Sequence, residues 1–155
     1  MFVYTDTLAS AGNVATSSTA NTESDTIYFK AGARNLLLQA MYAIGKGAGL
    51  TAISGIVHRI VKFATASSSG TAAAIVPKDP GAQAALHTAF TGGTEGTTRT
   101  QQVIFGHGAA GPGGWVAPNP DSMIVLQGAA TNSMDCCNAS GTASLNFEFS
   151  CETVE

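Results

Sequence analysis

LNFEFSCETVE, residues 145–155, alternates apolar and polar side chains through its whole length. Leu145, Phe147, Phe149 and Cys151 fall on one side; Asn146, Glu148, Ser150 and Glu152 fall on the other. Successive side chains of a strand point to opposite faces, so this run reads as a strand with one buried and one wet face. It sets the class: an antiparallel sheet protein whose closing strand is well specified.

Working back along the chain, residues 123–127 (MIVLQ) form a short continuous apolar run, which reads as a buried strand. Residues 97–105 (TTRTQQVIF) and 26–30 (TIYFK) read as strands, and a short first strand is expected over residues 2–5. Residues 55–65 (GIVHRIVKFAT) are rich in β-branched side chains and read as strand. Residues 36–44 (LLLQAMYAI) are apolar on both faces; a helical reading competes, but the GKGAG that follows punctuates as a turn, and strand is preferred. A strand apolar on both faces needs two covers, one of which can be another subunit. Asp79 followed by Pro80 supplies an N-cap and a first helical position, so one short helix is expected near residues 80–88. The resulting pattern is all-β: a jelly-roll-like antiparallel β-sandwich of about eight strands with one short helix. Residues 1–30 read as an N-terminal strand and extended arm, the arm spanning the Ser/Thr/Ala/Asn-rich residues 8–26. Residues 31–155 read as the sandwich domain.

Composition narrows the function classes. The 155 residues make one domain, long enough to bury a core without metal or disulfide staples. Only 11% of residues are charged, against a usual figure of about 25%. Such a surface suits protein contacts, because few ions need desolvating. A net charge of −3 with scattered Lys and Arg argues against nucleic acid. No stretch approaches the length of an apolar membrane span, and the first residues show no signal peptide. Three cysteines at irregular spacing make no disulfide framework, and Cys151 reads as a buried thiol in a reducing compartment.

Motifs of chemistry are weak. GKGAG (residues 45–49) lacks the spacing and the Ser/Thr of a phosphate-binding loop and reads as a hairpin turn. His58, His87 and His107 show no close ligand pair, so no metal and no other cofactor is expected. Cys136 or Cys137 with His107 and Asp135 are the only candidates for a nucleophile pair, and no local signature orders them. Asn138-Ala139-Ser140 matches a glycosylation sequon, which is empty without secretion. The Gly/Pro-dense residues 106–122 form the most unusual stretch. Their single tryptophan, Trp115, is either a plug folded inward at the end of the sandwich or an aromatic anchor at an interface.

The order of these residues resembles a known group. GAAGPGGWVAPNPDSMIVLQG (108–128), then NASGTASLNFEFSCETVE (138–155), with SSSGTAAAIVPKDPGAQAALHTAF (67–90) ahead of them, is similar to small jelly-roll head decoration or cement proteins of tailed bacteriophages. The likeness covers residues 34–155 and leaves out the arm. It implies a homotrimer on the capsid exterior that binds the phage major capsid protein and stabilises the head, with no enzymatic chemistry. It transfers no list of functional residues. The two-sided apolar strands supply the surface a trimer needs around a threefold axis. The expected interface positions are Leu36, Leu38, Tyr42, Ile56, His58 and Ile60, with Trp115 as anchor. A trimeric receptor- or ligand-binding module of a phage tail or fibre is the alternative, favoured by a glycan bound in a cleft.

Overall fold

The computed structural model describes residues 3–10, 25–46, 56–108, 111–129, 131–138 and 146–155. Among them run twelve strands: β1 (Val3–Ser10), β2 (Asp25–Lys30), β3 (Leu36–Lys46), β4 (Ile56–Thr65), β5 (Thr71–Ala73), β6 (Val76–Pro77), β7 (Thr88–Thr91), β8 (Thr97–His107), β9 (Gly113–Val116), β10 (Ile124–Leu126), β11 (Ser133–Asn138) and β12 (Asn146–Val154). Every pairing is antiparallel, in two sheets. The chain is folded double, so that β1 pairs β12, β2 pairs β11, β4 pairs β8, and β3 pairs β10 and β9 end to end. This doubled ribbon is rolled so that β12 also meets β3 and β11 also meets β4. The two sheets are therefore β1-β12-β3-β9/β10 (sheet A) and β2-β11-β4-β8 (sheet B), the strand order of a jelly roll. β6 extends sheet A beyond β1, and β5 and β7 extend sheet B beyond β2.

The core lies between the sheets. Ile27, Phe29, Ile60, Phe105, Met134 and Cys136 face Leu36, Leu38, Met41, Phe149 and Cys151 from the other side. Phe149 and Cys151 are fully buried, as the alternation of the closing strand requires, while Glu148 and Glu152 on the opposite face are half-buried. Each fully buried large apolar side chain contributes about 1.5–3 kcal/mol relative to exposure.

The two-sided apolar strands have two different explanations. In β3 the pairing with β12 skips Gln39: Thr153 sits opposite Leu38, and Glu152 opposite Ala40. This bulge moves the inward set from Leu36 and Leu38 to Met41 and Ala43. Apolar residues of both parities are thus core residues of a single face. In β4, by contrast, both faces are covered. Ile60 points into the main core, whereas Val61 and Phe63 form a second cluster with Cys137 on the outer side of sheet B.

That outer cover comes from the same chain. After β4 the chain crosses the outer face of sheet B to reach β5 at the far edge, and after β7 it crosses back to β8. The outgoing pass, residues 66–70, and the returning pass, residues 92–96, are joined by backbone hydrogen bonds between Ser68 and Thr94 in both directions. Together they form a strap. Ser67 Oγ donates to Asp135 Oδ2 at 2.5 Å and accepts from the Gly96 N–H at 3.0 Å. The Gly70 N–H donates to the Tyr28 hydroxyl. Gly96 lies so close that a Cβ there falls 1.8 Å from the Thr65 carbonyl oxygen. No sister copy is needed to cover β4.

Two expectations are corrected. The helix over residues 80–88 does not form. Asp79 does accept from the Gly81 N–H, but a single turn follows. Beyond it the N–H groups of Leu86 and His87 donate to the Glu155 carboxylate, and β7 begins at Thr88. The only helical element among the described residues is a 3-10 turn, Pro120–Ser122. The bounds of the expected arm also shift: residues 8–10 belong to β1, inside sheet A, and Asp25 and Thr26 to β2, inside sheet B. Residues 11–24 of the expected arm, and residues 47–49 of GKGAG, lie outside the described residues, as do residues 139–140 of the sequon.

Candidate functional site

The strap makes the two outer faces unequal. The strap covers sheet B over Val61, Phe63 and Cys137 and leaves Ile104 of β8 52% exposed; the outer face of sheet A carries a longer apolar row. Its apolar side chains follow from the register. Val125 sits opposite Leu37, Val116 opposite Ala40, Gly114 opposite Tyr42, and Glu148 opposite Ile44. Tyr42, Ile44, Val116 and Val125 are 44%, 42%, 51% and 38% exposed. They run along eight residues of β3, Leu37 to Ile44, a row of about 23 Å at strand rise. Gly114 allows this arrangement: a Cβ there falls 2.7 Å from Tyr42 Cδ1, so the ring lies across the glycine. On the β12 side the row is bordered by Glu148, Ser150 and Glu152. Lys78 pairs with Glu152, which removes one of the two bordering charges.

The expected interface positions divide against this face. Tyr42 belongs to it. Leu36, Leu38, Ile60 and His58 are fully buried between the sheets and are corrected from interface to core. The backbone of Ile56 pairs with His107, and its side chain lies outside the described residues. Trp115 packs, half-buried, against the main core. Val116 and Val125 were missed, because short runs such as GGWV show no period by which to assign a face.

The polar groups singled out by type are also placed. His58 and His107, 49 residues apart, meet inside one end of the sandwich with Nε2 atoms 3.2 Å apart. The ring of His58 packs against Phe105 and Phe149. His107 Nδ1 lies 2.9 Å from the Gly108 carbonyl, which can only accept. His107 therefore carries its proton on Nδ1 and accepts from His58 at Nε2. Burial, aided by His107, pushes the His58 pKa down to about 3. His87 lies toward the other end of the core, bonded through Nδ1 to Glu155 at 2.6 Å and through Nε2 to Thr153 at 3.2 Å. Tyr4 packs edge-on against it, and its hydroxyl donates to the Gln83 carbonyl. Burial raises the Tyr4 pKa, and the Glu155 charge adds to the shift. These contacts tie β1, β12 and the segment before β7 together, which is a structural use of polar groups.

The nucleophile candidates are not assembled. Cys136 faces the core, while Cys137 and Asp135 face the strap. His107 points between the sheets to His58. Among the described residues no group of three or more His, Cys, Asp or Glu converges as a metal site, and no helix is long and apolar enough to cross a membrane. What the geometry offers instead is a weakly charged, apolar-centred face on sheet A, suited to protein contact. No family model, curated protein or solved structure matches the chain.

Proposed function

We propose that the chain is a structural protein of a tailed-phage virion: a homotrimer on the capsid exterior that binds the major capsid protein and stabilises the head, without catalytic chemistry. Three things support this reading. Residues 34–155 resemble head decoration proteins, the strand order is that of a jelly roll, and one sheet keeps an apolar outer face while the other is strapped. The last observation carries the most weight. Two passes, residues 66–70 and 92–96, cross the outer face of sheet B, while Tyr42, Ile44, Val116 and Val125 stay exposed on sheet A. Large apolar side chains clustered on an exposed sheet mark an association surface. With 11% charged residues, little ionic desolvation opposes it.

Light scattering on the purified protein is the direct test. The expected mass is three times 15.6 kDa. The double substitution Tyr42→Glu and Ile44→Glu, on exposed positions, is expected to give folded monomers and to abolish co-sedimentation with expanded heads. A monomeric wild-type protein, or a trimer indifferent to both glutamates, overturns the assignment of this face.

A further inference from the structure

We propose that the cleft bounded by Lys62, Thr98, Thr100, Gln127 and Asn132 binds a small acidic sugar, with the carboxylate on the Lys62 ammonium and the hydroxyls on the threonine and amide groups. The cleft has a volume of about 390 Å³, within the range of small-molecule sites. It lies where the ends of β4 and β8 face β10.

The bulge in β8 creates it. Val103 sits opposite Ile60 and Gln101 opposite Val61, so Gln102 is the extra residue. On one side of the bulge, Val103, Phe105 and His107 point inward. On the other side the same face carries Thr98 and Thr100, both exposed at the cleft, with Lys62 opposite Thr100. The sandwich thus stays open at this end, lined by a half-buried lysine and two exposed threonines. Bulges recur beside binding sites because they re-aim side chains in this way.

Three further observations point to a ligand. Lys62 Nζ donates to the Val125 carbonyl at 3.2 Å, which steadies the ammonium at the cleft wall. No carboxylate among the described residues pairs with it. Asn132 Oδ1 is buried without a hydrogen-bond partner, an acceptor that a ligand hydroxyl can satisfy. Thr98, a β-branched residue, is held at φ 57°. Such a conformation is costly for its type and clusters at ligand sites. One cation beside several neutral hydroxyl and amide groups selects a polyol that carries one negative charge.

The test is a titration of the full-length, 15N-labelled protein with sodium D-glucuronate, with D-glucose and acetate as controls. Glucuronate is expected to shift the amide signals of Thr100, Gln127 and Asn132 saturably, with a Kd on the order of 1 mM. Glucose and acetate are each expected to bind at least fivefold more weakly. Lys62→Met should make glucuronate no better than glucose, whereas Gln127→Ala, at an exposed position, should weaken both sugars and keep their ranking. Equal binding of glucuronate and glucose by the wild type, or no saturable shift at these residues, overturns the proposal. The wild-type arms decide it even if Lys62→Met does not fold. The outcome is independent of the trimer: a monomer can show the selective site, and a trimer can lack it.

Discussion

Acid should loosen this fold through one side chain, and the size of the effect follows from its burial. His58 is fully buried, and its pKa is about 3, against 6.5 for an exposed imidazole. Between those values the unfolded chain binds a proton that the folded chain refuses. Stability is therefore full above pH 6.5, declines as pH falls, and levels off near pH 3. The slope for one such proton is about 1.4 kcal/mol per pH unit. From pH 6.5 to 4.5 the loss is roughly 2.5 kcal/mol, a large share of the roughly 5–15 kcal/mol typical of a domain. Urea unfolding across this range measures it. At a urea m-value near 2 kcal/mol/M, the midpoint should fall by about 1 M. His58→Gln is the control: the amide can still donate to His107 Nε2 but does not titrate. Carboxylates contribute alike to both proteins, so the difference between the two pH profiles isolates His58. Parallel profiles would falsify the assignment, because they would mean that the imidazole is solvated enough to charge in the folded state.

The strap gives two further predictions. Ser67→Ala removes the hydroxyl that donates to Asp135 and accepts from Gly96, and should cost about 3 kcal/mol because a buried carboxylate loses a donor. Chemical denaturation reads the loss, and hydrogen exchange should show the Ser68 and Thr94 amides losing protection ahead of the core strands. Gly96→Ala sets a methyl group against the Thr65 carbonyl oxygen and must lift the returning pass. A cost of about 1–3 kcal/mol is expected for such overpacking, and a melting temperature equal to wild type refutes the close approach.

How much of this was legible depends on which physical signal each element carries. The closing strand could be read outright, since Phe149 and Cys151 alternate with Glu148 and Glu152 and no register irregularity interrupts β12 against β1. The class followed from it and from the β-branched residues of β4. β11 escaped notice, although it is the middle strand of sheet B. Its sequence, SMDCCN, contains no β-branched residue and places an aspartate in the centre. That aspartate is tolerated because Ser67, 68 residues earlier, reaches it from the strap. No local pattern encodes such a partner. The helix expected after Asp79 fails for the same reason: its cap is real, but Glu155, at the other end of the sequence, holds the amides of Leu86 and His87.

The interface was half legible, and the error has one source. Apolar residues on both parities of a strand were read as evidence for a second cover outside the chain. The structure separates the two ways of producing that pattern. In β3 a bulge at Gln39 exchanges the faces, so Leu36, Leu38 and Met41 are all core, while Tyr42 and Ile44 are its exposed large apolar side chains. In β4 the faces stay fixed, and the chain folds back over its own outer surface. Neither mechanism leaves Leu36, Leu38 or Ile60 for a partner. The association surface proposed above is instead what remains after both have acted: Tyr42 and Ile44 beyond the bulge, with Val116 and Val125 brought alongside by β9 and β10. A register irregularity thus does in β3 what it does again in β8, where the face of Phe105 passes to Thr98 and Thr100 at the cleft. In this fold one inserted residue decides whether a side chain faces the core, the outer surface or a cleft.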